Sequence, residues 1–265
     1  MDISCIVNAH RERHVVHPTL RSVLRSVALA RECGLRVDVH VVLDDSDDET
    51  REVVARLIGN DGYVHHVNYG DLSASRNWAV QHCTGEYLAF IDGDDLWCHQ
   101  WLVDSLMAAR RESRRIVFHP EYNVYFGSAA PHVFHHVDME DADYQPEFLL
   151  RMNYWTALSF ARRDIYLEFP YRPNRIDDGF GYEDWTWNHE TVTAGIIHKT
   201  VTGTSHFIRK GKAGTSLLDQ TNQMRAIPRV LDLYALPAPC RKAAETRAPA
   251  KESTGTSTSL ELQAA

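Results

Sequence analysis

The sequence predicts an α/β fold: a mostly parallel central sheet with helices on both faces, built as a single domain with a C-terminal tail. Short β-branched runs alternate with amphipathic stretches over about the first ninety residues. The first, second and fourth of these runs stop at polar or acidic loops, as buried parallel strands do where they surface. At 265 residues with 44% hydrophobic content, the chain can bury one sizeable core.

The elements follow in order. Ile3-Ser4-Cys5-Ile6-Val7 reads as a strand that ends at Asn8-Ala9-His10-Arg11-Glu12-Arg13. From Pro18 to about Cys33, Leu20, Val23, Leu24, Val27 and Ala28 recur at helical spacing, with Gly34 placed to close the helix. Val37 to Leu43 is a second strand and stops at Asp44-Asp45-Ser46-Asp47-Asp48-Glu49, where acids open the next helix; Val53, Val54, Leu57 and Ile58 form its buried face. Tyr63 to Val67 is a third, weaker strand. Ser73 is expected to cap a helix that runs to about Cys83, and Glu86 to Ile91 is the fourth strand. This order implies right-handed crossovers and a nucleotide-sized crevice at the strand ends.

The fourth strand ends in Asp92-Gly93-Asp94-Asp95. Carboxylates at a strand exit can hold Mg²⁺ or Mn²⁺ with bridging phosphate oxygens, and the glycine between Asp92 and Asp94 leaves room for them. Asp-Gly is also a hairpin signal, but Trp101 to Met107 beyond it reads as helix. In the middle segment, Ile116 to His119 and Asn123 to Phe126 suggest strands. His132 to His136 alternates faces on an extended run, which favours surface or acceptor-facing groups over a metal site. Asn153 to Arg162 reads as a further strand. Gly181-Tyr182-Glu183-Asp184-Trp185-Thr186-Trp187 places two acids at a helix N-terminus. Thr202 to Ser216 combines His206 with a glycine-bounded basic loop, Arg209, Lys210 and Lys212, suited to closing on a pyrophosphate.

Composition narrows the partners. A formal charge of −8 argues against a nucleic-acid-coating surface. The five cysteines (Cys5, Cys33, Cys83, Cys98, Cys240) are scattered without a CxxC pair, so reduced thiols are expected. No apolar run reaches the roughly 18 residues of a membrane span and no signal-peptide pattern opens the chain, so a cytoplasmic protein, at most peripheral at the membrane, is expected. The Ser/Thr-, Ala- and Pro-rich stretch from 236 to 265 reads as a disordered tail.

Residues from about Ile3 to Met107 resemble the nucleotide-binding half of a family 2 glycosyltransferase with the GT-A fold. The marks are Val7-Asn8-Ala9-His10, Asp44-Asp45, Leu72-Ser73-Ala74-Ser75-Arg76-Asn77, and Gly85 to Asp95 as the DxD element. Many members carry Thr-Tyr-Asn in the first loop, so the aromatic partner of the base is missing here or replaced by His10.

The resemblance implies a donor half over 1–107 and an acceptor-binding, catalytic half over 108–235. It places a nucleoside diphosphate sugar against Asn8, Ala9, His10, Asp44, Asp45, Arg76, Asp92 and Gly93, with Mn²⁺ or Mg²⁺ on Asp94, Asp92 and His206. The ED motif makes Asp184 the general base and Glu183 its neighbour, with Trp155, Trp185 and Trp187 toward an acceptor sugar. A UDP sugar is the first expectation, ahead of GDP or dTDP sugars. The acceptor is a saccharide, lipid-linked or other hydroxyl, with DNA disfavoured by the acidic charge. Transfer by direct displacement inverts the anomeric centre. Two rivals are a nucleotidyltransferase, which the glycine-free first loop disfavours, and a non-catalytic nucleotide-sugar or glycan-binding module, which has no need of a base.

Overall fold

The protein is described by a computed structural model covering residues 1–127, 130–211 and 217–229. Lys212 and the tail stretch 236–265 lie outside the described residues. In chain order the elements are β1 (Ile3–Ala9), α1 (Val16–Glu32), β2 (Val37–Asp44), α2 (Asp48–Ile58), β3 (Tyr63–Val67), α3 (Leu72–His82), β4 (Tyr87–Asp92) and β5 (Leu96–Trp97). They continue with α4 (Trp101–Arg110), β6 (Ile116–Gly127), β7 (His132–His135), β8 (Phe160–Arg162), α5 (Arg163–Glu168), α6 (Glu183–Thr193), β9 (Ile197–Lys210) and α7 (Leu217–Gln223). The sheet runs β3-β2-β1-β4-β8-β6-β9-β5, with β7 paired to β6.

The first four strands are parallel to their neighbours, as the alternation of strand and helix requires. Their side chains alternate between two apolar layers. Val7, Val39, Val41 and Ala89 face Leu20, Val23 and Val27 of α1, Val54 of α2 and Leu102 and Leu106 of α4. Ile6, Val42, Leu88 and Phe90 face Ala79 and Val80 of α3, Tyr166 of α5 and Trp187 of α6. Burial on both faces explains why these strands read as unbroken apolar runs.

Helix starts follow local chemistry. Asp47 caps α2 by accepting from Thr50 N at 2.9 Å. Asp71, and not Ser73, caps α3, accepting from Ala74 N at 2.8 Å. Ser73 lies within the helix, its hydroxyl donating to Arg172 O. Gly34 follows α1 at φ +80°, a conformation that costs other residues a steric penalty.

The second half departs from the expected strands in two places. The two short runs in 116–126 are one strand, whose register against β9 shifts between Pro120 and Tyr122, where proline has no N–H to give to a ladder. The run from Asn153 becomes strand only at Phe160–Arg162, antiparallel between β4 and β6. Before that, Tyr154 and Trp155 are both buried in a third cluster with Met139, Tyr144, Leu149 and Val192. Their polar atoms reach loop carbonyls, Tyr154 OH to Gln145 O and Trp155 Nε1 to Val137 O, so the segment is anchored by side chains and not by a ladder. Among the described residues, no helix is long and apolar enough to cross a membrane.

Candidate active site

The C-terminal ends of β1, β2 and β4 lie side by side, with Asn8 opposite Asp92 and Ala9 opposite Leu43. The Asp92-Gly93-Asp94-Asp95 segment turns here, Asp95 N donating to Asp92 O at 3.1 Å. The turn does not make a hairpin: β5 pairs antiparallel with β9 at the far edge of the sheet. Gly93 is required by a close approach to β1. Its N–H donates to Asn8 O at 2.7 Å, and a Cβ on it would sit 2.9 Å from the Ala9 Cβ. The space beside the Gly93 Cα is therefore taken up by Asn8 and Ala9 of β1.

Around this turn the expected donor residues take different parts. The Asn8 side chain is 5% exposed, and its carboxamide has no hydrogen-bond partner among the described residues. A buried amide of this kind is costly unless a ligand satisfies it. His10 is exposed, with Nδ1 at 2.6 Å from Asp44 O. Asp44 organises the loop before α3: its carboxylate accepts from the backbone N–H of Tyr69, Gly70 and Asp71 and from Ser75 Oγ, at 2.6 to 3.2 Å. Asp45 holds a left-handed backbone (φ 45°) and pairs with Arg11 at 2.6 Å.

Arg76 is an internal strut. It is 1% exposed, and its guanidinium donates to Asp92 Oδ1 at 2.8 Å and to Glu183 Oε1 at 2.9 Å. Burial opposes its charge, but the two carboxylates outweigh that and hold it protonated. The expectation that Arg76 touches the nucleotide is thus corrected: both ends of its fork are occupied by the carboxylates that join the DxD and ED segments.

Asp184 is half-buried in the first turn of α6, behind Tyr182, which takes a left-handed conformation at φ 56°. Its Oδ1 accepts from Trp185 N at 2.8 Å and its Oδ2 from Asn153 Nδ2 at 3.2 Å. Burial, then the charge of Glu183, pushes the carboxyl up to about 7, against the pull of Arg76. Glu183 accepts from Asn174 Nδ2 on its second oxygen at 3.0 Å.

Arg209 is tied to the acidic turn. Its N–H donates to Asp95 Oδ1 at 2.8 Å, and its Nε to Asp94 O at 3.3 Å. Lys210 lies over the Tyr125 ring at 4.8 Å. Burial lowers its pKa although Asp95, Asp219, Asp184 and Asp94 all favour the charged form. Tyr125 is raised to about 12 by burial and by the charges of Asp184 and Asp95, so its phenol belongs to the same acidic surroundings. Neither Tyr125 nor Asn153 is marked by a sequence motif; Tyr125 lies in an apolar strand run and Asn153 in a stretch that reads as strand.

Asp92 and Asp94 present hard oxygen ligands. Mg²⁺ or Mn²⁺ is commonly held by one or two carboxylates while substrate phosphates complete the shell, and this donor set fits that pattern. Among the described residues, no group of three His, Cys, Asp and Glu side chains is arranged to hold an ion by itself. His206 does not join the two acids. It stands opposite Trp97 in the ladder, wholly buried, with its ring edge-on to Trp101 at 4.7 Å. Burial holds its pKa well below the ordinary value. Its expected place in the metal shell is corrected accordingly: its side chain belongs to the packed layer under α4.

The tryptophans are corrected in the same way. Trp155 and Trp187 are each 1% exposed, stacked on His198 at 4.4 Å and on Tyr166 at 5.2 Å respectively, so neither can stack on a sugar. Trp185 is half-exposed, with its Nε1 donating to Leu149 O.

A mostly parallel sheet that carries an acidic turn after its central strand, bridged to a second pair of acids at a helix start, is the GT-A type of glycosyltransferase fold. The chain belongs to glycosyl transferase family 2, whose model matches residues 4–167. It is 31% identical over 119 residues to the succinoglycan biosynthesis protein ExoM of Rhizobium meliloti (strain 1021), a match covering 43% of this chain and 38% of that protein. Among solved structures it is similar to S. aureus TarS 1-349 in complex with UDP-GlcNAc, at a TM-score of 0.60 and 17% identity. That likeness covers 80% of this chain and 60% of the TarS chain. A mannosyltransferase from Pyrobaculum calidifontis in complex with GDP-Man and Mn2+ matches at a TM-score of 0.56 and 14% identity, over 80% of this chain and 58% of that one. The chain thus spans less than two thirds of these relatives, and at these identities the structural matches establish the fold.

Proposed function

We propose that the protein transfers a sugar from a nucleoside diphosphate sugar, with a UDP sugar as first choice, to an acceptor hydroxyl with inversion at the anomeric carbon. The observation that carries this reading is Asp184: a half-buried carboxyl pushed up to about 7, beside a glutamate that Arg76 bridges to the DxD aspartate. A carboxyl with a pKa near the working pH is suited to general-base catalysis. ExoM's part in succinoglycan biosynthesis and the nucleotide sugars bound by TarS and the mannosyltransferase support the donor class.

In this reading residues 1–107 hold the donor and residues 108–235 present the acceptor. The open Asn8 carboxamide and the exposed His10 ring face the nucleoside, and Asp44 shapes the loop beside them. A divalent cation, Mn²⁺ or Mg²⁺, on Asp92 and Asp94 would neutralise charge on the departing diphosphate. Arg209 and Lys210 add fixed positive charge there. Asp184 takes the proton of the acceptor hydroxyl as its oxygen bonds to the anomeric carbon. The bond from that carbon to the diphosphate oxygen breaks, and the electron pair leaves with the nucleoside diphosphate. The acceptor is a saccharide, lipid-linked or other hydroxyl.

The test is release of nucleoside diphosphate from UDP-glucose, UDP-N-acetylglucosamine and GDP-mannose with Mn²⁺, Mg²⁺ or EDTA. Metal-dependent release from one donor, reduced about 10²- to 10⁴-fold in Asp184→Asn with donor binding intact, is the expected result. Full turnover in Asp184→Asn would remove the base assignment. A chain that binds a donor tightly but never turns it over would favour the binding-module reading.

A further inference from the structure

We propose that Asn153 and Asn188 form an amide relay that positions the Asp184 carboxylate, with Asn188 fixing the orientation of Asn153 and Asn153 holding Asp184. The inference rests on the assignment of Asp184 as the base. Asn188 lies one turn after Asp184 on α6 and is 1% exposed. Asparagine is a poor interior helix residue and costly to bury without partners, so its presence calls for polar work.

Its partners are specific. Asn188 Nδ2 donates to Asn153 Oδ1 at 2.8 Å and to Trp155 O at 3.0 Å. Asn153 Oδ1 also faces Trp155 N at 3.4 Å. With its oxygen engaged in this way, Asn153 can only turn its N–H groups toward Asp184, and Nδ2 lies 3.2 Å from Asp184 Oδ2. A flipped Asn153 would set its Oδ1 against the Asp184 carboxylate and its N–H groups against those of Asn188 and Trp155.

The relay answers a structural need of the site. Residues 151–158 lie outside the strands, yet Asn153 among them donates to Asp184 Oδ2. Trp155 Nε1 anchors the segment to Val137 O at 2.7 Å, and Asn188 ties it to the same helix that bears Asp184. A purely structural clamp would be complete with the bond to Trp155 O. The second bond serves the Asn153 amide, and through it the charged form of the base, in the way that the third member of a nucleophile–base–orienter set acts. Other groups that act on Asp184 are Glu183 on its own helix, Arg76 on α3, Asp92 on β4, Tyr125 on β6, Lys210 on β9, and Tyr171 and Tyr182 in the preceding loop. None of these is altered by substitution at 153 or 188.

The experiment is a carboxyl ¹³C NMR titration of the whole chain labelled at aspartate, with the Asp184 signal assigned by its loss in Asp184→Asn. Asn153→Ser and Asn188→Leu are both expected to move the Asp184 midpoint up by about one unit, because a hydrogen bond to the ionised form is lost. Thermal unfolding checks that each variant is folded; Asn153 is half-buried in a loop, so its variant keeps the test open if Asn188→Leu does not fold. For the donor that the wild type turns over, kcat at pH 7 should fall about 5-fold with the donor KM unchanged, since a midpoint moved from about 7 to about 8 leaves roughly a fifth as much ionised carboxylate. A midpoint that stays within about 0.2 unit of wild type in the folded variants would overturn the relay. A shifted midpoint in a protein whose Asp184→Asn variant is fully active would leave the relay standing and remove only the base.

Discussion

Replacing Arg76 by methionine keeps roughly the side-chain volume and removes the charge that joins the two acidic segments. The Glu183 side chain is 9% exposed and Arg76 1%, so this half of the bridge is a buried ion pair whose rupture costs about 3–5 kcal/mol. Asp92 is 32% exposed on its side chain, so solvent reduces its share to at most about 1 kcal/mol. For a domain of this size each kcal/mol is worth about 2–4 °C, which places the expected loss in Tm near 10 °C. Thermal unfolding by circular dichroism measures it, and a double-mutant cycle isolates the pair. Arg76→Met with Glu183→Gln should recover a large part of the loss, since no buried charge is then left alone. Tm losses below about 3 °C, or single effects that add within about 0.5 kcal/mol, would refute the strut.

Further outcomes follow from other parts of the molecule. His119, His136, His198 and His206 are wholly buried and held neutral, His136 near 4 and His198 near 3, by burial first. Their folded pKa values lie below the unfolded value, so the stability they permit is complete above about pH 6.5 and is lost as pH falls below it. Between pH 7 and 5.5 the loss from these four outweighs the smaller gain as Asp184 takes up its proton in the folded state; urea midpoints at the two pH values should show a net fall, and unchanged midpoints would count against the buried neutral cluster. Turnover should rise about tenfold from pH 6 to pH 8 as Asp184 ionises, measured as kcat/KM for the donor. Gly93→Ala should cost about 1–3 kcal/mol in chemical denaturation, because the added methyl meets the Ala9 Cβ at 2.9 Å.

Much of the first half was legible because its pattern is local. Parallel strands covered on both faces read as apolar runs, and α1 and α2 carry a clear helical period, so their limits fall within two residues of those expected. Asp71 was missed as the cap of α3 because Ser73, Asp71 and Ser75 are all competent caps and only the loop geometry chooses among them. The second half was less legible. Tyr154 and Trp155 have strand-forming side chains, but their burial in the third cluster overrides that preference. Side-chain type does not say whether a tryptophan fills a core or faces a ligand, which is why Trp155 and Trp187 could be placed only by the fold. His206 shows the same limit: its place late in the chain fits a metal shell, whereas its ladder position opposite Trp97 sends the ring inward. Asp92, Asp94, Glu183 and Asp184 each stand out in the sequence, but the link between Asp92 and Glu183 through Arg76 does not, since it depends on a contact across 107 residues of sequence.

That same separation has a consequence for how the molecule comes into being. β5, on the N-terminal side of α4, finds its partner only in β9 near the end of the described chain, and Arg76 finds one of its two carboxylates only in α6. Contacts this distant carry a large loop-closure cost and form late in folding. A chain in which only the first half of the sheet has formed therefore carries Asp92 and Asp94 without Glu183 and Asp184. On the proposed reading, the carboxylates of the site come together only when α6 and β9 close on the first half of the sheet, so completeness of folding and competence for chemistry arrive together.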